Sequence, residues 1–271
     1  MITANYKKYI LNFKNPSGTS RGVLRTKETW FIILDKKGKK GIGETGLFRG
    51  LSIDDFSNYE EKLSWACQNI NLGLDFLLKE LWAFPSIQFG LEQAFLSLKS
   101  ETSFELFPSQ FTKGKKSIPI NGLVWMGEKK FMKNQIKEKL ETGFSCIKMK
   151  IGAIDFKAEL ELLKSIRKEF SSNEIELRVD ANGAFNSKNA LEKLNRLSEL
   201  EIHSIEQPIK QGQVQEMAEL CSKTPLPIAL DEELIGVFFK KEKNILLETI
   251  KPQYIILKPS LIGGFAGSKE W

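Results

Sequence analysis

Histidine is almost missing from the chain, and cysteine is scarce. One histidine, His203, excludes histidine-rich zinc centres and confines any serine–histidine triad to that single residue. Three cysteines, Cys67, Cys146 and Cys221, stand far apart with no CxxC pair. That excludes a disulfide framework and a cysteine-based metal site, and suits a reducing compartment. No apolar run reaches the length of a membrane span, and the opening MITANYKKYILNF lacks a signal-like hydrophobic region. A cytoplasmic protein with no membrane partner is expected. The formal net charge is +6, but the basic runs KKGKK (36–40) and KGKK (113–116) carry no interleaved aromatics and belong to no recognisable nucleic-acid module. They read as solvated turns, so no nucleic-acid partner is expected. Gly41, Gly43 and Gly46 do not form GxGxxG at a strand-to-helix turn, which leaves a hairpin rather than a phosphate loop.

With 41% hydrophobic and 27% charged residues, the 271 residues suffice for a sizeable core. The texture changes along the chain. Up to about residue 46, YKKYILNF leads into the turn-rich KNPSGTSRG, and GVLRTKETWFIILD ends at the hairpin signal DKKGKKG. Helical spacing follows from 53 to about 80 and again in SIQFGLEQAFLSLKS. From about 118, short apolar strands alternate with amphipathic helices: IPINGLVW, SCIKMKIG, IELRVD, IHSIEQP, LPIALDE and PQYIILKPS. Asp155 is a candidate cap for the helix after SCIKMKIG, and Gly143 a candidate C-terminal cap of the helix before it. The pattern predicts an α/β protein: an α+β domain over residues 1–115, and a parallel sheet covered by helices over 116–271. An eight-unit barrel would need about two further strands. The expectation is therefore an open six-stranded sheet or a barrel truncated after about six strands. Trp65, Trp82 and Trp125 sit at apolar positions and read as core, Cys146 as a packed thiol, and His203 as structural or exposed.

Charge recurs at the strand ends. IELRVD ends at Asp180, IHSIE at Glu206, LPIALD at Asp231 and YIILK at Lys258, at steps of 26, 25 and 27 residues. That pitch is one βα unit, and ligands gather at the carboxyl ends of parallel strands. Three carboxylates at one rim repel unless a positive charge sits among them. An all-oxygen set suits a hard cation, Mg²⁺ with Mn²⁺ as the alternative, held by Asp180, Glu206 and Asp231. Lys148 and Lys150 lie two apart on SCIKMKIG and so share a face, with Lys258 on the other flank. A partly desolvated lysine near a cation has its pKa lowered and serves as a general base. The inferred chemistry is proton abstraction α to a carboxylate, with the cation and a lysine stabilising the enediolate.

The segments KMK (148–150), VDAN (179–182), IEQP (205–208), ALDE (229–232) and LKPSLIGG (257–264) resemble the muconate-lactonizing branch of the enolase superfamily, and within it the o-succinylbenzoate synthases. GTSRGVL (18–24), GIGETGLFRGLS (41–52) and FPSIQFGLEQA (84–94) resemble the capping domain of that group. The resemblance covers nearly the whole chain. It implies a modified TIM-type (β/α)7β barrel with an N-terminal α+β capping domain, and a lysine base working beside Mg²⁺. It also implies that Lys150 takes the α-proton and returns a proton to the departing hydroxyl in a syn dehydration. Lys148 would hold the substrate carboxylate, and Lys258 would stabilise the enediolate. Asn182 matches the asparagine after the first metal ligand, and Ser260, Gly263 and Gly264 would approach the succinyl end. Thr19, Ser20 and Arg21, with the stretch Thr45 to Leu51, would close over the substrate and exclude water. The implied reaction turns 2-succinyl-6-hydroxy-2,4-cyclohexadiene-1-carboxylate into 2-succinylbenzoate in menaquinone biosynthesis. The partner would be a small-molecule carboxylate, acting on a monomer or homo-oligomer. An N-acylamino-acid racemase, a dipeptide epimerase or a muconate cycloisomerase would share the first half-reaction. An inert scaffold or interaction domain is the third alternative.

Overall fold

Alternation in TWFIILD puts Trp30, Ile32 and Leu34 on one buried face, as a strand with one covered side requires. The computed structural model describes residues 1–19 and 22–271. Strands β1 (Thr3–Thr19), β2 (Gly22–Lys36) and β3 (Lys39–Gly46) form an antiparallel sheet in that order. The turn-rich segment expected after Phe13 instead continues β1, with a register shift between Asn12 and Ser17. Helices α1 (Tyr59–Gln68), α2 (Leu74–Glu80) and α3 (Pro85–Lys99) follow, with a 3-10 turn at Ile70–Leu72. The expected helical stretch from 53 starts late because Asp54 is buried and occupied. Its Oδ2 accepts from Ser86 N at 2.9 Å and Ser86 Oγ at 2.6 Å. Helix α3 lies directly on β3. A Cβ on Gly43 would stand 1.8 Å from the Gly90 carbonyl oxygen, so that glycine is required by close approach rather than by a hairpin.

The second part alternates strand and helix: β4 (Gly122–Val124), α4 (Lys129–Glu141), β5 (Cys146–Lys150), α5 (Phe156–Glu169), β6 (Glu176–Asp180), α6 (Ser187–Ser198), β7 (Ser204–Glu206), α7 (Val214–Lys223), β8 (Ile228–Leu230), α8 (Lys240–Ile250), β9 (Tyr254–Ile255), α9 (Pro259–Ile262) and α10 (Gly264–Glu270). A 3-10 turn spans Glu232–Leu234. The six strands pair in chain order, each parallel to the next. This is the strand–helix progression of an enolase-type (β/α)7β barrel through six strands, with the antiparallel sheet as its cap. Asp155 caps α5, accepting from Ala158 N at 3.3 Å, and Gly143 closes the turn after α4 with φ +82°. Leu160, Leu163 and Ile166 of α5 bury one helix face with Leu177 and Val179 of β6. Each such side chain contributes about 1.5–3 kcal/mol of burial.

Two hydrophobic clusters result. One joins β2 and α1 to α3, the other the six parallel strands and their helices. Helix α3 also meets the end of the chain. Glu92 accepts from the backbone N–H of Phe265, and from Ala266 N at 2.9 Å, while Phe89 and Phe265 meet edge to face at 5.1 Å. No helix of the described residues is long and apolar enough to cross a membrane.

Candidate active site

Strand β5 sorts its side chains by face. Ile147 and Met149 are buried toward the helices, whereas Cys146, Lys148 and Lys150 point the other way and are only half-buried. Parallel pairing then fixes what stands beside them. Lys150 is level with Asp180, and Asp180 with Glu206, along one row of the sheet. Asp231 lies one residue beyond β8. Lys258 lies three beyond β9, at the start of α9, rather than at a strand end as the sequence suggested.

The charged groups interleave. Lys150 Nζ donates to Asp180 Oδ2 at 2.9 Å and to Asn182 Oδ1 at 2.6 Å. Lys148 Nζ pairs with Asp180 at 3.2 Å and with Glu206. Lys258 Nζ pairs with Asp231 and stands 3.5 Å from Glu206. All three carboxylates are nearly inaccessible, between 1% and 5% exposed. Burial alone would pull the Lys148 ammonium down, but Asp180 and Glu206 outweigh it and hold its pKa above the ordinary lysine value. Burial would raise Asp180, yet Lys150 and Lys148 keep it below the usual carboxylate range. Asp231 goes the other way. Burial, with Glu232 and Glu206 nearby, overcomes Lys258 and pushes it up to about 8.

The donor chemistry fits a hard divalent cation: three buried carboxyl groups with no histidine or cysteine among them, one of which, Asp231, is pushed up to about 8 by burial and by its acidic neighbours despite Lys258. Among the described residues no three acidic, histidine or cysteine side chains cluster closely enough to hold a metal as they stand. The lysine ammonium groups lie between the carboxylates.

Of the residues singled out in the sequence, Lys148, Lys150, Asp180, Asn182, Glu206, Asp231 and Lys258 converge. Ser260 follows in α9. Gly263 and Gly264 pack toward α3, where a Cβ on Gly264 would stand 2.0 Å from Glu92 Oε2. Ser20 and Arg21 lie outside the described residues.

The sequence reading passed over several members. Trp125, expected in the core, sits just past β4 with its ring 5.9 Å from Lys150 Nζ. Asn182 Nδ2 donates to Glu232 Oε1 at 3.0 Å, joining Lys150 to a second buried carboxylate. Gln207 is wholly buried beside Glu206. A cleft of about 270 Å³ is lined in part by Gly152, Asn182, Gln207 and Glu232. Trp82 is 48% exposed rather than core, and meets Phe238 edge to face at 5.2 Å and Phe239 at a tilt at 5.5 Å. Cys146 is partly exposed, with Sγ 3.4 Å from Glu176.

Residues 132–270 match the family model described as enolase C-terminal domain-like. The o-succinylbenzoate synthase of Desulfotalea psychrophila is 46% identical over 298 residues, spanning 98% of this chain and 81% of that protein. The crystal structure of MenC from Desulfotalea psychrophila LSv54 superposes with a TM-score of 0.86 at 41% identity, covering 100% of this chain and 82% of that one. The L-amino acid-D/L-Glu epimerase of Francisella philomiragia is 35% identical over 138 residues, 50% of this chain and 37% of that protein.

Proposed function

This chain belongs to the o-succinylbenzoate synthase family of the enolase superfamily, and on that premise we propose that it dehydrates 2-succinyl-6-hydroxy-2,4-cyclohexadiene-1-carboxylate to 2-succinylbenzoate, a step of menaquinone biosynthesis. The observation that carries the reading is the alternation of three buried carboxylates with three lysines along adjacent strand ends. Members of the superfamily use a divalent metal ion. Here Asp180, Glu206 and Asp231 would hold it, and Mg²⁺ suits their oxygen donors. When bound, Mg²⁺ supplies positive charge against the second negative charge that builds on the substrate carboxylate as its α-proton leaves.

The chain's own groups do the rest. Lys150 Nζ, held by Asp180 and Asn182, takes the α-proton as the neutral amine. The ammonium so formed returns a proton to the ring hydroxyl on the same face. The C–O bond breaks, water leaves, and the new double bond completes an aromatic ring. Lys148 and Lys258 remain ammonium ions and hold the carboxylate charge from two sides. The Trp125 ring stands beside the base, 5.9 Å from Lys150 Nζ. Asn182, Ser260, Gly263 and Gly264, with Ser20 and Arg21, are assigned to the substrate. The division into a cap (residues 1–115) and a barrel (116–271) belongs to the same proposal, and the two separate hydrophobic clusters support it.

A second reading has one observation in its favour. Lys258 flanks the carboxylates opposite Lys148 and Lys150, which would also serve a two-base racemisation. One assay separates the two. The chain is incubated with the cyclohexadiene carboxylate or with N-succinyl amino acids, with Mg²⁺ or EDTA. Formation of 2-succinylbenzoate that EDTA stops is expected. Racemisation without dehydration would reject the leading reading.

A further inference from the structure

Asp231 has left the sheet that should hold it. Strand β8 ends at Leu230, and Asp231 turns into the 3-10 segment with φ −128° and ψ −81°. Its N–H is therefore not satisfied by a neighbouring strand. It donates instead to the side chain of Gln207, whose Oε1 lies 3.1 Å away. The same Oε1 accepts from Glu233 N at 3.2 Å. Nε2 donates to Ile209 O and to Glu233 Oε2, each at 3.0 Å. Two acceptor lone pairs and two N–H bonds are all used, which among side chains of this shape only an amide can do. Glu233 is tied in turn by Gly212 N at 2.9 Å. Gln207 itself has φ +40°, a left-handed conformation that residues other than glycine seldom adopt, and its side chain is wholly buried. A conformation of that kind persists where the surroundings determine it.

We propose that Gln207 is a positioning residue for the cation site. It joins the backbone of Glu206 to that of Asp231, and so sets how far apart their carboxylates stand. The proposal rests on the reading that Asp180, Glu206 and Asp231 hold Mg²⁺. The neutral amide suits this place because it adds no charge among groups already crowded with carboxylates. It also leaves the oxygens of Glu206 and Asp231 untouched, since it holds Asp231 through the backbone N–H and the carboxylate it bonds is that of Glu233.

The test is calorimetric titration of the whole chain with MgCl₂, paired with turnover measured across Mg²⁺ concentrations. Gln207→Met keeps length and volume but neither accepts from Asp231 N nor donates to Glu233. It is expected to weaken Mg²⁺ binding about 10- to 100-fold. Saturating Mg²⁺ should return kcat to within about threefold of the wild type, the mark of a residue acting on the metal site and not on the chemistry. Gln207→Asn keeps a neutral amide but draws its oxygen back by one methylene from the Asp231 and Glu233 N–H groups, and should weaken Mg²⁺ binding about tenfold or more. Leu163→Ala, a cavity in the apolar cluster under α5, should lower stability and leave Mg²⁺ affinity unchanged. Wild-type affinity in folded Gln207→Met would overturn the proposal, as would an equal loss in Leu163→Ala. If Gln207→Met does not fold, Gln207→Asn decides alone, and wild-type Mg²⁺ affinity there overturns the proposal. A wild type that binds no Mg²⁺, with Asp180→Asn indistinguishable from it, would instead reject the metal reading itself.

Discussion

Lys148 and Lys150 are neighbours on one face of β5 with different partners. Lys148 sits between Asp180 and Glu206, whereas Lys150 is shared by Asp180 and Asn182 and lies under the Trp125 ring. Replacing the proposed base, Lys150→Ala, is expected to lower dehydration about 10²–10⁴-fold with an unchanged cooperative melt. Turnover within tenfold of the wild type would take the base role from Lys150. Asp231 gives a pH prediction for the metal-free protein. Its pKa in the folded state, about 8, lies above its ordinary value of 3.8, first through burial. Its contribution to stability is thus full below the unfolded value and is lost as pH rises through about 8. Metal-free Asp231→Asn should therefore melt above the metal-free wild type at pH 9, with the gap closing toward pH 5. Equal melts at pH 9 would show that burying this carboxylate costs nothing. The convergence of these residues was legible because two simple periods suffice, two residues along a strand and one βα unit between strands. Gln207 and Trp125 were not legible in that way. Gln207 acts through the backbone N–H of a residue 24 positions away, and Trp125 looks like any other large apolar side chain until Lys150 is placed beside it.

Among the elements, α3 has two jobs that its apolar spacing did not announce. It covers β3 through glycine contacts, and it presents Glu92 to the first N–H groups of α10. Glu92→Ala is expected to cost about 1.5–3 kcal/mol in urea unfolding, the worth of hydrogen bonds to a charged acceptor. Gly264→Ala should also destabilise, because its added Cβ would meet Glu92 Oε2 and the residue sits at φ +73°. A Gly264→Ala protein as stable as the wild type would show that α3 and α10 can part without penalty. Asp155 was readable as a cap from its place before an amphipathic run, and it caps. The extension of β1 through KNPSGT was not readable, because turn-forming residues there are overruled by pairing with β2 up to Thr19 and Gly22. Lys258 was identified by its spacing, yet β9 stops at Ile255 and the lysine begins a helix.

For the whole molecule, two hydrophobic clusters meet through α3, α9 and α10, and the charged site lies at and just beyond the strand ends of the parallel sheet. Ligand binding then reports on global stability. Mg²⁺ at about a hundred times its Kd should add about 2.7 kcal/mol to unfolding, by mass action. Asp180→Asn should remove that increment in a thermal melt with and without the ion. A stabilisation that survives the substitution would place the ion elsewhere. The parallel sheet of the second part and the strand-and-hairpin start of the first were open to sequence reasoning, since strand length and helix period alternate cleanly after residue 118, whereas the order of the strands was not. The exposure of Trp82 was not. Its partners Phe238 and Phe239 come from the loop before α8, and the cavity of about 600 Å³ that they line lies at the surface.

The sorting of side chains on β5 also constrains how such a chain can change over generations. A single residue inserted before Ile147 would turn both lysines into the helix layer and bring Ile147 and Met149 round to face Asp180 and Glu206. Substitution can be sampled one position at a time in this strand, but length cannot. Gains and losses of sequence are left to the connections, such as the segment between β4 and α4 or that before α8, where the ladder does not count residues.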